Sequence, residues 1–285
     1  MKKSILIISL LFLITGSINL SSQVLDSPKR DGIYDKIHNV NRKPIPYAFV
    51  READVFWSKR IWRVIDFKEK MNQPFYFPIE PQNGRKSFMT IIFDALKEGT
   101  IIAYEAGQYN DEFLAPISPV QLLSSLTRVD SIRLQRSYPP YDWYDTIKVK
   151  EFRTSDVTRI RIKEDWFFDK QRSVMESRII GICPIIEQFN DEDQSFKGYL
   201  PLFWIYFPDL RPILAKNEVF NRFNDGLRLS YDDVFMKRMF SSYIYKESNV
   251  YDRKIVEYTK GVDQIFESER IKNEINNYER ELWEY

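Results

Sequence analysis

The sequence holds one cysteine, Cys183, and one histidine, His38, in 285 residues. One cysteine cannot close a disulfide within the chain. One histidine and one cysteine far apart exclude a zinc site of the usual composition, a Ser-His-Asp triad and a Cys-His dyad. Glycine is scarce too: the nine glycines are scattered and form no phosphate-cradling loop. Formal net charge is only +1, so the general attraction that drives binding to a phosphate backbone is missing. Long apolar runs are absent beyond the N-terminus. "RIIGICPIIEQF" and "YLPLFWIYFPDL" are short, broken by proline or charge, and suit buried strands.

The first residues carry the one leader-like pattern. Lys2 and Lys3 precede an apolar run from Ile5 to Ile14, and small polar residues follow to Ser22. That layout predicts a secretory signal peptide over residues 1–22, and an apolar core of this length is too short to span a bilayer. Its removal shifts the formal charge from +1 to −1, since Lys2 and Lys3 go with it. Residues 23–46 are polar and dotted with proline, an extended arm or a strap for a neighbour. The whole chain is 44% hydrophobic and 29% charged, enough apolar matter for a packed core.

"WSKRIWRVIDFKEK" from Trp57 mixes two tryptophans with five cations. Such a mixture grips nucleic acid or a protein partner, and the near-neutral charge disfavours the first. Its apolar spacing predicts a helix over Glu52–Met71, with Trp57, Ile61 and Val64 in one stripe and Arg60 and Arg63 as an exposed basic edge. A second helix is expected from Lys86 to Gly99, and a third after Ser118 as N-cap with Pro119 at its first position. "TIIAYEA", "SIRLQRSY", "TIKVKEF", "VTRIRIKEDWFF", "VMESRIIGICPII" and "YLPLFWIYF" read as strands. "PDLRPILAKNEVF", the stretch from Tyr231 to Ser248, and a charged C-terminal segment read as helices. The expected fold is α+β, in two similar-sized halves of mostly antiparallel strands plus the charged C-terminal helix. The halves are residues 47–150 and 151–261, with the helix over 262–285. A faint echo, "DVFWSK" against "DWFFDK", suggests that the halves share a plan.

Carboxylates are the one catalytic resource left. Glu164, Asp165, Asp169 and Glu176 bracket a predicted hairpin. Two of them could serve as glycosidase acid and base, or all could form a salt-bridged face with Arg159, Arg161, Lys170 and Arg172. Asp191–Asp193 and Asp232–Asp233 lack calcium-loop spacing. No cofactor and no metal is expected. Aromatic content of 15% is the positive signal: it builds a core of large side chains, a protein interface or a sugar-binding platform. "YPPYDWY" from Tyr138 is a stiff turn that would present Tyr141, Trp143 and Tyr144.

Several long stretches carry a family likeness. "WSKRIWRVIDFKEKMN", "EDWFFDKQRSVMESRIIGICP", "PLFWIYFPDLRPILAKNEVFN", "LSYDDVFMKRMFSSYIYKESN" and the ending "ELWEY" together resemble the GldN/PorN family of the type IX secretion and gliding-motility machinery. The resemblance implies a non-enzymatic periplasmic subunit. It implies self-association in a ring, a GldK/PorK-type outer-membrane lipoprotein partner and contact with a GldM/PorM-type periplasmic motor protein. Membrane association would then come through partners alone, and nucleic acid would play no part. Candidate contact residues are Trp57, Arg60, Trp62 and Arg63 in one group, and Tyr141, Trp143 and Tyr144 in another. The rival reading is a soluble periplasmic glycan- or peptidoglycan-binding protein or hydrolase.

Overall fold

A computed structural model describes residues 41–282 except 83, 108–110, 151, 191–194, 223 and 225. The expected signal peptide, most of the expected arm, His38, Asp191–Asp193 and the last three residues lie outside the described residues.

The segment expected as the first helix is instead the strand β1 (Val55–Asp66). It lies between β6 (Val157–Asp169) and β12 (Tyr243–Glu247), antiparallel to both. The misreading has a physical cause. Ile61 to Asp66 are buried without a break, because neighbours cover both faces there, and a strand buried on both faces loses its alternating pattern. Val55, Ile61, Val64 and Ile65 are β-branched and suit a pleated surface better than a helix. Period two also changes who faces whom. Trp57, Ile61 and Arg63 share one face, and Arg60, Trp62 and Val64 the other.

The sheet continues from β6 to β7 (Val174–Phe189), β9 (Phe203–Tyr206), β2 (Ala103–Glu105) and β3 (Pro116–Ile117), all antiparallel. The long β7 serves two partners along one edge. Gly181 and Ile182 pair with β9, and Ile185 to Phe189 pair with β8 (Phe196–Pro201). The expected single strand "YLPLFWIYF" is therefore two, split at Leu202. Strands from before and after residue 150 interleave in this one sheet, so the expected boundary at 150/151 does not separate two sheets. The two segments also differ in plan, since β1 is followed by helices and β6 by β7.

Three helices cover one face of the sheet: α2 (Phe88–Lys97), α4 (Phe207–Lys216) and α5 (Tyr231–Met236). They meet α1 (Gln73–Tyr76) and the sheet in a cluster that includes Phe75, Phe88, Phe207, Tyr231 and Phe235. Their ring centroids lie 5.3–6.0 Å apart. Pairs of this kind add about 0.5–1.5 kcal/mol each beyond area burial, and much of the chain's aromatic content is spent here. Helix α2 ends as expected at Gly99, whose φ of 69° suits the left-handed position after a helix. Ser118 caps α3 (Pro119–Leu126), as its sequence predicts.

The expected helix from Tyr231 stops early. After Met236 the chain turns through Arg238 at φ 52° and returns as β12. Similarly α4 ends at Lys216, and the residues after Asn217 pair as β10 (Glu218–Val219) with β11 (Leu229–Ser230). The charged C-terminal helix is α7 (Asp263–Glu281), preceded by the short α6 (Ile255–Tyr258). It buries Ile271 and Ile275 against Ile61, Ile244 and Ile255. Ile265 on the same helix is 64% exposed. The last pair of strands, β4 (Arg128–Gln135) and β5 (Trp143–Lys150), forms a ribbon of its own outside the main sheet. Among the described residues no helix is long and apolar enough to cross a membrane.

Candidate functional site

The first group of candidate residues is mostly internal. Trp57 stacks on Tyr278 of α7, centroids 4.7 Å apart and planes at 24°. On the other face, Trp62 is buried beside Cys183 and Trp204. Its strand partners there are two lysines, Lys163 and Lys246, whose Nζ atoms lie 5.9 and 4.4 Å from its ring. Its Nε1 donates to Asp111 Oδ2 at 2.5 Å, and Lys163 Nζ donates to the Asp111 carbonyl at 2.7 Å. Burial lowers the Lys163 ammonium from its ordinary value, against the pull of Asp111. These groups border a polar cavity of about 440 Å³ that also meets Ser58, Arg60 and Asp165. Its cations are matched: Arg60 forks onto Asp165 at 2.6 and 2.8 Å, and Lys59 meets Glu247 at 2.7 Å.

Arg63 is not part of an exposed edge. It is buried, and its Nε donates to Glu164 Oε1 at 2.5 Å. Glu164 is wholly buried and also accepts from Arg238 at 2.8 and 3.2 Å and from Trp166 Nε1 at 2.9 Å. Burial pushes this carboxyl up, but the Arg238 and Arg63 charges and hydrogen bonds outweigh it and hold it below its ordinary value. The network sits on the seam between two apolar clusters. The Arg238 guanidinium lies 5.1 Å from the Trp166 ring, beside α7, and 5.4 Å from Phe240 in the main core. No motif in the sequence marks Arg238 for this place.

The other candidate carboxylates are paired as well. Asp169 takes Arg172 Nε at 2.7 Å, and Glu176 bonds Arg172 and approaches Arg178. The arrangement is a salt-bridged surface, though its cations are chiefly Arg60, Arg172 and Arg178 rather than Arg159, Arg161 and Lys170. Among the described residues, no group of His, Cys, Asp and Glu could hold a metal. Cys183 is buried as a small apolar group, and burial pushes its thiol up to about 12.

The second group stands in the open. Tyr138, Tyr141 and Trp143 are 62, 54 and 57% exposed at the ribbon's turn. Tyr141 N donates to the Tyr138 carbonyl at 3.0 Å, closing the turn, and Arg136 lies 5.9 Å from both the Tyr138 and Tyr144 rings. Ile147 and Val149 on β5 are exposed too. The ribbon thus offers rings held by proline and hydrogen bonds, which lose little entropy on docking. A further apolar surface, not foreseen, lies where α6 meets α7. Val262, Ile265 and Phe266, at helical spacing, are each about two-thirds exposed, and Val256 is 60% exposed.

Residues 41–46 of the expected arm lie on the chain's own body. Arg42 pairs with Asp233 at 2.7 Å, and Arg211, bound to Asp232, donates to the Ile45 carbonyl at 2.7 Å. Tyr47 follows between two guanidinium groups, 4.3 Å from Arg211 and 5.0 Å from Arg178.

The candidate carboxylates are thus satisfied within the chain, and the ribbon's rings stand outward. The family model for the gliding motility associated protein GldN matches residues 50–284. The chain belongs to the GldN family. The match takes in β1, the ribbon and α7, so these elements fall within the family's own span. A search of curated proteins finds no match. As a GldN family member the chain is a gliding-motility-associated component.

Proposed function

We propose that this chain is a non-catalytic structural subunit of the type IX secretion and gliding-motility machinery. It works in the periplasm and joins a ring. An outer-membrane lipoprotein holds it at the membrane, and it touches the periplasmic part of the motor. The β4–β5 ribbon carries the reading. A two-stranded ribbon is marginally stable alone in water and needs a further strand or a packed surface. Here neither edge pairs with the main sheet, and the turn exposes three large rings. Family membership supplies the motility context. The apolar α6–α7 corner offers a second contact face. Patches of this sort mark association sites when contiguous.

The test is co-purification of the tagged, exported chain from detergent-extracted envelopes. The lipoprotein and the motor protein are expected with it. Replacing residues 129–149 by a short glycine linker is expected to release the chain from the complex while leaving its circular dichroism native-like. A chain recovered without envelope proteins, yet retained on peptidoglycan, would overturn the proposal.

A further inference from the structure

A cavity of about 510 Å³ opens beside α1, within the usual size range of small-ligand pockets. Phe77, Pro78 and Phe220 give it an apolar floor, and Lys70, Arg85 and Arg222 stand around it. Arg85 packs 5.5 Å from the Phe220 ring centroid and pairs with Glu218 at 3.5 Å. Lys70 and Arg222 are exposed, and among the described residues no carboxylate lines the cavity. Phe77 and Phe220 remain 50 and 47% exposed, so the floor is open to solvent. Such a pocket takes an aromatic ring that carries a carboxylate beside it. The ring covers the floor, gains from nearby cations, and the carboxylate meets Lys70 and Arg222.

The chain displays that chemistry elsewhere. At the ribbon's turn Tyr141, Asp142 and Trp143 are consecutive and exposed. Asp142 has one loose cation near it, Arg136 Nε at 3.6 Å. Among the described residues, none of the ribbon lines the cavity within one copy. We propose that the ribbon tip of one copy seats in this cavity on a second copy. A tip aromatic lies on Phe77 and Phe220, and Asp142 faces Lys70 and Arg222. Tip and cavity are different patches, so the contact is head-to-tail, the kind that generates a ring when the rotation closes. This rests on the assembly reading and adds which surfaces join like subunits.

Sedimentation velocity of the purified exported chain over rising concentration tests it. Reversible association is expected. Asp142→Arg and Arg222→Asp are each expected to weaken it about tenfold, and the two together to restore it, because the charges are again opposite. Both positions are exposed, so native circular dichroism is expected throughout. A chain that stays monomeric overturns the proposal. So do single variants that associate normally, or a double reversal without rescue. Capture of the lipoprotein by the same variants separates the two levels. Lost self-association with retained capture supports both the contact and the assembly role. Retained self-association with lost capture gives the tip or cavity to another envelope protein and overturns this proposal while the assembly role stands.

Discussion

Glu164→Gln isolates the buried ion network. The substitution keeps the side chain's shape but removes the charge that faces Arg63 and Arg238. Arg63 is 7% exposed and Glu164 fully buried, so water cannot take over. Deleting one charge of a buried pair costs about 3–5 kcal/mol. Each kcal/mol shifts the melting midpoint of a chain this size by about 2–4 °C. The midpoint is therefore expected to fall by roughly 6–20 °C, read by circular dichroism and checked by urea titration. The pH dependence gives a second readout. The folded Glu164 carboxyl lies below its ordinary value of 4.5, so its contribution is present above that pH. It is lost as pH falls through the folded value. The gap between wild type and variant should hold at neutral pH and narrow in acid. A loss below about 1 kcal/mol, the worth of an exposed pair, would refute the reasoning.

Three more outcomes follow from single features. Arg238 sits at φ 52°, where a Cβ is strained, so Arg238→Gly is expected to be about 1 kcal/mol more stable than Arg238→Ala in urea melts. Equal stabilities would remove the left-handed strain from the account. Trp57→Ala deletes the ring that stacks on Tyr278. Hydrogen exchange should quicken in Asp263–Glu281 and stay slow in β6 and β7. Uniform change would contradict local docking of α7. The thiol of Cys183, fully buried and raised to about 12, should resist maleimide at pH 8 until urea unfolds the chain. Rapid labelling of native protein would refute that burial.

Local signals were legible where one residue decides them. Ser118 and Pro119 start a helix, and Gly99 ends one. The alternation in "VTRIRIKEDWFF" and "TIKVKEF" marks strands that the fold keeps. The local pattern misleads where tertiary contacts outvote it. "WSKRIWRVID" has spacing that fits a helix, but its place between β6 and β12 makes it a strand. Its cations were a usable clue: Arg60 stands directly across from Asp165, a complementary pair that registers two strands. "MKRMFSSYIYKE" reads as a continuing helix, and the stop lies at Arg238. Left-handed φ at an arginine has no signature comparable to glycine's.

The same distinction separates the two candidate groups. A tryptophan and an arginine on a strand can point into the core, and Trp62 and Arg63 do so on opposite faces because consecutive residues alternate. Glu164 was visible as a polar intruder in the row Ile160, Ile162, Glu164, Trp166. An acid in an inward row needs a cation, and two answer it here: Arg63 on the neighbouring strand and Arg238, 74 residues away. The ribbon residues are different in kind. Tyr141 and Trp143 sit beside prolines in a turn of a hairpin that joins no other strand, so folding the chain alone leaves them uncovered. That uncovered apolar surface, more than the count of aromatics, is what the proposed assembly role rests on.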